Sequence, residues 1–223
     1  MENMENERKS LIQSLIKKGY LHSKSVIKSM MELPREEFLP EKNRSKAYMD
    51  SPQQLIKDQT ISAPHMNAIM CEVLELEPGQ NVLEIGTGSG YHAALCALIV
   101  GNPNKDGVIG HVYTIERIKE LVDFANDNIK RVGLSHLITV IHGDGTLGYP
   151  EKAPYDRILV TAAGPQIPKP LIEQLKVGGL LCIPIGPDRF SQKLVLIKKK
   201  ETGIEEKEIC GVVFVPLIGE FGF

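Results

Sequence analysis

The chain has 223 residues, 42% hydrophobic and 24% charged, with a formal net charge of −2. That is ample apolar material for one packed domain, and the wrong charge for broad binding to nucleic acid or an anionic membrane. No apolar run nears the ~20 residues of a membrane span, and the opening MENMENERKS has no apolar signal core, so a cytoplasmic protein is expected.

The first eight residues are expected to fray. From Ser10, positions Leu11, Ile12, Leu15 and Ile16 share one helical face, and Gly19 stops the helix. A second helix is read from Ser23, with Val26, Ile27 and Met30 on one side, ending before Pro34. The stretch PREEFLPEKNRSKAYMDSP is a turn-rich connector punctuated by Pro34, Pro40 and Pro52. After Pro64, the positions Met66, Ile69, Met70, Val73 and Leu74 mark another helix, closed by a turn at Pro78 and Gly79.

Five short apolar runs follow: NVLEIG, HVYTIE, LITVIHGD, YDRILVTAA and GLLCIPIG. Between them lie the helical segments HAALCALIV, IKELVDFANDNIKRVG and PKPLIEQLKVGG. Such runs are strands buried on both faces, and their alternation with helices predicts a doubly wound, parallel α/β sheet. In the tail, QKLVLIKKK and CGVVFVPLIG, joined by the charged link ETGIEEKE, suggest a closing hairpin. One domain is expected. It has a helical extension and substrate-side loop over 1–63, a cofactor-binding core over 64–190 and closing strands over 191–223. The cysteines (Cys71, Cys96, Cys182, Cys210) form no CxxC pair and the histidines no HxxxH pair, so buried reduced thiols and no metal site are expected.

In an open α/β sheet, ligands sit beyond the carboxyl ends of the strands. The first strand runs into VLEIGTGSGYH, where Gly86, Gly88 and Gly90 follow a strand and open a helix. The spacing is GxGxG, not the GxGxxG of dinucleotide enzymes, and Glu84 sets a carboxylate before the loop, hostile to phosphate but suited to an ammonium group. Glu116 ends the second strand, where an acid suits the two hydroxyls of a ribose. Asp144 ends the third and can accept from an adenine amino group, with Gly145 letting the base lie close. Each acid alone reads equally well as a helix cap. Together, an ammonium, a ribose and an adenine without phosphate describe S-adenosylmethionine. Upstream, Ser62 in TISAPHM stands just before Ala63 and Pro64, and spacing alone favours an N-cap. The amides that open a helix also form a natural anion site, to which the Ser62 hydroxyl would add one donor.

VLEIGTGSGY, GDG, YDRILVTAAGPQIP and above all QTISAPHM closely resemble the protein-L-isoaspartate O-methyltransferase family, from about Leu15 to the FVPLIG segment. The glycine motif is common to many methyltransferases; QTISAPHM and VTAAGPQIP are far more specific. The resemblance implies a mostly parallel seven-stranded sheet of the S-adenosylmethionine-dependent type. It also implies methyl transfer from that cofactor to the free α-carboxylate of isoaspartyl residues in damaged proteins and peptides, by a chain taken as a monomer. Ser62 is the catalytic serine it implies. Thr60, Ile61, Ser62, His65, Ala162, Ala163, Val215 and Leu217 fall on its substrate side. Thr60, Glu84, Gly86, Thr87, Gly88, Ser89, Gly90, Glu116, Asp144 and Gly145 fall on its cofactor side. One departure is Ile56, which stands where the family carries a glycine; a β-branched residue copies glycine conformations poorly, so a different loop path is expected before the motif. Rival readings are a methyltransferase for another acceptor, a non-catalytic cofactor-binding module and a nicotinamide oxidoreductase. The QTISAPHM motif opposes the first and the glycine spacing the last.

Overall fold

The computed structural model describes residues 2–187 and 191–223. Helices α1 (Glu2–Lys17) and α2 (Lys24–Glu32) lead through two 3-10 turns to a small hairpin of β1 (Gln53–Gln54) and β2 (Thr60–Ile61). Next come α3 (Pro64–Val73), β3 (Asn81–Ile85), α4 (Tyr91–Val100), β4 (His111–Glu116), α5 (Lys119–Arg131) and β5 (Ile138–His142). The chain continues through β6 (Tyr155–Val160), α6 (Lys169–Gln174), β7 (Leu175–Ile185), β8 (Gln192–Lys199) and β9 (Ile204–Val212). Strands β3 to β9 form one seven-stranded sheet in the order β5-β4-β3-β6-β7-β8-β9, parallel up to β7 and antiparallel beyond. The expected sheet is the one formed.

The apolar strands supply both faces, because successive side chains point to opposite sides. Val82, Leu159, Leu180 and Cys182 pack with α1 to α5, whereas Leu83, Ile85, Ile158, Val160, Leu181 and Ile183 pack with α6 and Leu217. The N-terminal helices belong to the first of these cores: Leu15 and Met30 share a cluster with Leu95, and Ser29 Oγ donates to the Leu95 carbonyl at 2.8 Å. The domain boundary placed at residue 190 lies outside the described residues.

Four expectations change. The first residues do not fray from Glu2 onward; they extend α1, because Arg8 donates to the Met31 carbonyl (2.9 Å) and the Tyr48 hydroxyl (2.7 Å) and ties that turn down. Met1 lies outside the described residues. The helix read in PKPLIEQLKVGG stops at Gln174, where Lys199 from β8 donates to the carbonyls of Ile172, Glu173 and Leu175; LKVGG then enters β7. The connector holds two 3-10 turns, the first burying Arg35 and Phe38 and the second Asn43. Finally, the closing hairpin exists, but most of the charged link is itself strand β9, turning at Gly203 (φ +78°), and Val213 onward leaves the sheet. Only Cys210 to Val212 of CGVVFVPLIG are in that strand.

The hairpin before the motif explains how Ile56 is accommodated. Gln59 N donates to the Ile56 carbonyl (3.2 Å), and the left-handed residues between them are Lys57 (φ +54°) and Asp58 (φ +56°). Two consecutive positive φ values make a two-residue turn of the primed kind, which matches strand twist and favours Asn and Gly. Ile56 therefore never adopts the glycine conformation; its two successors do. Lys57 also pairs with Glu120 of α5 at 2.5 Å, pinning the turn. Asp58→Gly is expected to relieve left-handed strain of about 1–2 kcal/mol, less about 0.4–1 kcal/mol for the freer unfolded chain, and to raise the melting temperature by ~1–4 °C in a chain this long, as calorimetry would register.

Candidate active site

Strand β3 lies between β4 and β6, so the strand order reverses there and a crevice opens at the carboxyl ends. Three hollows adjoin at that point. A cleft is lined by Gly86, Gly88, Glu116, Gly145, Ala162 and Leu217. A polar chamber beside it is lined by Ile61, Ser62, Asn67, Glu84, Thr87, Ser89 and His92. An outer groove of about 640 Å³ is lined by Ser62, His65, Gln192, Phe214 and Val215. Thr60 and Thr161 line all three, and Ser62 lies between chamber and groove.

The glycines let the loop turn tightly between strand and helix. Gly86 (φ +93°) passes Thr161 so closely that a Cβ would come within 2.4 Å of the threonine hydroxyl oxygen, and that hydroxyl donates to the Gly86 carbonyl at 2.7 Å. Gly90 (φ +84°) opens α4, lines none of the hollows and packs its α-carbon against Ile129. Glu84 is fully buried. Thr114, its partner across the β3–β4 register, donates to Oε2 at 2.5 Å and also bonds the Thr87 hydroxyl at 2.7 Å. Burial pushes the Glu84 carboxyl up to about 7. Its other oxygen, Oε1, is buried with no hydrogen-bond partner among the described residues. A cationic donor fits there: an ammonium group would satisfy the orphaned acceptor and stabilise the ionised form.

The other two acids are already engaged. Glu116 accepts from the amides of Gly88 and Ile118, both at 3.0 Å, so it holds the glycine loop to the end of β4 while still lining the cleft. Its oxygens keep further lone pairs for hydroxyl donors. Asp144 caps the 3-10 turn Gly145–Leu147 by accepting from the Thr146 amide and hydroxyl, and its second oxygen takes the Glu220 amide at 2.8 Å. These bonds hold its carboxyl below the usual range although burial opposes them. Asp144 does not line the cleft; Gly145 does. The acid anchors the C-terminal tail, whose Leu217 and Ile218 wall that cleft.

At TISAPHM the cap is not Ser62, as spacing alone suggests. Ala63 holds the N-cap position, Pro64 is the first helical residue, and the acceptor comes from fifteen residues upstream: Asp50 Oδ1 takes the His65 amide at 3.0 Å and the His65 ring at 2.8 Å. Burial raises the Asp50 carboxyl, but those two bonds pull it lower still. Pro64 has no N–H and His65 has given its own to Asp50, so the helix-opening amides do not form the expected anion site. Ser62 is released from capping, with its hydroxyl side half-buried at the meeting of chamber and groove.

Of the remaining expected residues, Ile61 lines the chamber and His65 the groove, while Val215 borders cleft and groove. Ala162 and Leu217 line the cleft instead of the groove. Ala163 lines none of the three; it is fully buried and exchanges backbone bonds with Val215 and Leu217 (both 2.8 Å), stitching the tail beside β6. Sequence reasoning missed Thr161, Arg35, Asn67, His92 and Gln192. Thr161 was findable, since it directly follows the strand that flanks the switch point. Gln192 is buried and brackets Phe214 with two bonds that shape the groove wall. Arg35 is fully buried, donates to the Ser62 carbonyl at 2.6 Å and to Asn67 Oδ1 at 3.1 Å, and stacks 4.8 Å from the Tyr91 ring centroid.

Known proteins share this sequence and this fold. The family profile described as protein-L-isoaspartate(D-aspartate) O-methyltransferase matches residues 6–222. A protein-L-isoaspartate O-methyltransferase from Staphylothermus marinus is 54% identical over 222 residues, 98% of this chain and 97% of the relative. One from Methanothermobacter thermautotrophicus is 49% identical over 221 residues, 99% of each chain. Among solved structures, a Plasmodium falciparum protein described as a protein-L-isoaspartate O-methyltransferase, in complex with S-adenosyl-L-homocysteine, superposes with a TM-score of 0.82 at 31% identity, covering 95% of this chain and 98% of that one. The glycine loop, the buried Glu84 and the released Ser62 thus sit in a chain that belongs to the protein-L-isoaspartate O-methyltransferase family.

Proposed function

We propose that this chain repairs proteins by moving a methyl group from S-adenosylmethionine to the free α-carboxylate of isoaspartyl residues in damaged proteins and peptides. The observation that carries the reading is the junction at Thr60 and Thr161, where glycine-loop cleft, acid-bearing chamber and open groove meet beside Ser62. When bound, the cofactor supplies an electrophilic methyl group on a sulfonium centre.

The chain's own residues have a limited task. The acceptor is a carboxylate with a pKa near ~3.5, ionised at neutral pH, so no general base is needed. What remains is alignment and exclusion of water from two charges that cancel as they react. Glu84 accepts the ammonium in the chamber, Glu116 the ribose hydroxyls, and Gly145 leaves room for the base in the cleft. Asp144 contributes by holding the tail across that cleft. Ser62 donates its hydroxyl to the acceptor carboxylate; Thr60 and Ile61 shape the approach, and His65, Val215 and Phe214 form the groove that takes an extended segment. In the methyl ester, the neighbouring backbone amide nitrogen then attacks the ester carbonyl and methanol leaves, closing a succinimide whose hydrolysis by water returns part of it to normal aspartate.

A monomer is supported by the edge strand β9, whose exposed Glu205, Glu206, Lys207 and Glu208 discourage edge-to-edge pairing. Free thiols at all four cysteines favour a reducing compartment such as the cytoplasm. No helix among the described residues is long and apolar enough to cross a membrane.

The direct test uses labelled S-adenosylmethionine and two peptides that differ only in an isoaspartyl or a normal aspartyl linkage. Base-labile label is expected on the isoaspartyl peptide alone; label on neither, with the cofactor bound, would overturn the acceptor assignment. Ser62→Ala removes one bond to a charged group and is expected to lower kcat about 10- to 100-fold with cofactor affinity unchanged, as steady-state kinetics and calorimetric titration would separate. Glu84→Gln tests the chamber. Because burial raises the folded-state pKa to about 7, the wild type binds one more proton folded than unfolded between the unfolded value and pH 7. Its stability in the absence of cofactor therefore falls as pH rises through that window. The variant is expected to lose this slope in urea unfolding between pH 4.5 and 8, and to bind S-adenosylmethionine at least ~10-fold more weakly for want of the carboxylate.

A further inference from the structure

Arg35 is an unusual group to bury. It is fully enclosed, its Nε has no partner among the described residues, and Asp50, the carboxylate whose charge favours its cationic form, forms no contact ion pair with it there. Burial lowers its pKa, yet a guanidinium remains charged. A buried cation without a counter-ion is costly unless its neighbours are arranged around it. The arrangement here runs in one direction. Arginine can only donate, so the 3.1 Å contact from Nη1 makes Asn67 Oδ1 an acceptor and turns the Asn67 amino group the other way. That amino group meets His92 Nδ1 at 3.0 Å. Nδ1 must then carry the lone pair, which puts the imidazole hydrogen on Nε2, and Nε2 faces Cys71 Sγ at 3.4 Å. The other Arg35 nitrogen, Nη2, holds the Ser62 carbonyl.

The same tautomer removes a competing reading. Cys71 Sγ, His92 and Cys96 Sγ present ligand atoms within 4.8 Å of one another, a spacing compatible with a two-cysteine, one-histidine metal site. A ligating nitrogen needs its lone pair on the metal side. In this network the lone pair faces Asn67, and a hydrogen occupies the side that a metal would need.

We propose that Arg35, Asn67 and His92 form a directed hydrogen-bond relay, ending on the Cys71 sulfur, and that Arg35 is a positioning residue that fixes the Ser62 backbone for methyl transfer. The role in transfer rests on the reading of Ser62 given above. Because the amides opening α3 are absent or committed to Asp50 and Ala63, the Arg35 guanidinium is the positive group that meets the Ser62 backbone. It anchors Ser62 from the side of the core, leaving the hydroxyl side at the junction of chamber and groove.

The relay is tested first without substrate. In the ¹⁵N-labelled wild-type protein, the His92 shifts are expected to read as a protonated Nε2 and an unprotonated Nδ1. Asn67→Asp replaces the donor beside Nδ1 by an acceptor, and Nδ1 is expected to become protonated. A wild-type Nδ1 that already carries hydrogen, or one that ignores Asn67→Asp, would overturn the relay. Positioning is tested kinetically: Arg35→Lys keeps the charge but cannot span both acceptors, so kcat is expected to fall about tenfold or more. S-adenosylhomocysteine affinity should stay within about twofold. An Arg35→Lys enzyme with wild-type kcat would overturn the positioning role. A silent Ser62→Ala would remove that role together with the reading of Ser62, whereas the tautomer stands or falls by its own spectrum.

Discussion

The crossing of the chain at Gly86 over Thr161 is the constraint on which the site depends. Parallel pairing of β3 with β4 on one side and β6 on the other brings three chain exits to one spot. Thr161 is the first residue beyond β6; its amide and hydroxyl both bond the Ile85 carbonyl, and the hydroxyl also bonds that of Gly86. The loop must pass within a distance that only a residue without Cβ allows. Once it does, Glu84 is sealed behind the loop, Gly88 is brought to Glu116, and Thr161 stands at the meeting of all three hollows.

Polar groups around this crossing divide into those spent on architecture and those left over. Glu116, Asp144 and Asp50 each hold a piece of backbone that would otherwise be free to move: the glycine loop, the C-terminal tail and the start of α3. A carboxylate bonded to amides is well satisfied, which is why burial does not keep Asp50 or Asp144 above their usual range. Glu84 is the contrast. It has one hydroxyl donor and one buried oxygen without a partner among the described residues, an arrangement that costs stability in the protein alone and that a cationic donor would offset. A site that is under-satisfied by itself is one that discriminates for its ligand.

The groove side follows the same logic. Asp50 assumes the capping duty that TISAPHM would otherwise need from its serine, and Arg35 holds that serine's carbonyl from the core. Ser62 is thus tethered by its backbone and spared at its side chain. The groove beside it is built from the chain end that leaves β9, bracketed by Gln192 and stitched to Ala163, so the last strands of the sheet border the groove while the first border the cleft and the chamber.

Much of this is legible in the sequence. Apolar runs flanked by glycines and acids, alternating with helical segments, force a parallel sheet because such strands must be covered on both faces, and a glycine triplet after the first strand can only be a tight turn into a helix. The motif around Ser62 carried the family membership through its resemblance. Local pattern failed where a distant partner decides. The start of α1 is ordered by Arg8 reaching Met31 and Tyr48, the end of α6 by Lys199, the cap of α3 by Asp50, and the occupation of Asp144 by a tail 76 residues further on. What the sequence by itself determined was the sheet, the crevice and the residue types at its rim, since these rest on periodicity and on backbone conformations that few residues adopt. Only the tertiary structure decided which of the acids is left unsatisfied and which serine is left free, because a hydrogen-bond donor or acceptor is spent or spared by whatever the fold brings within about 3 Å of it.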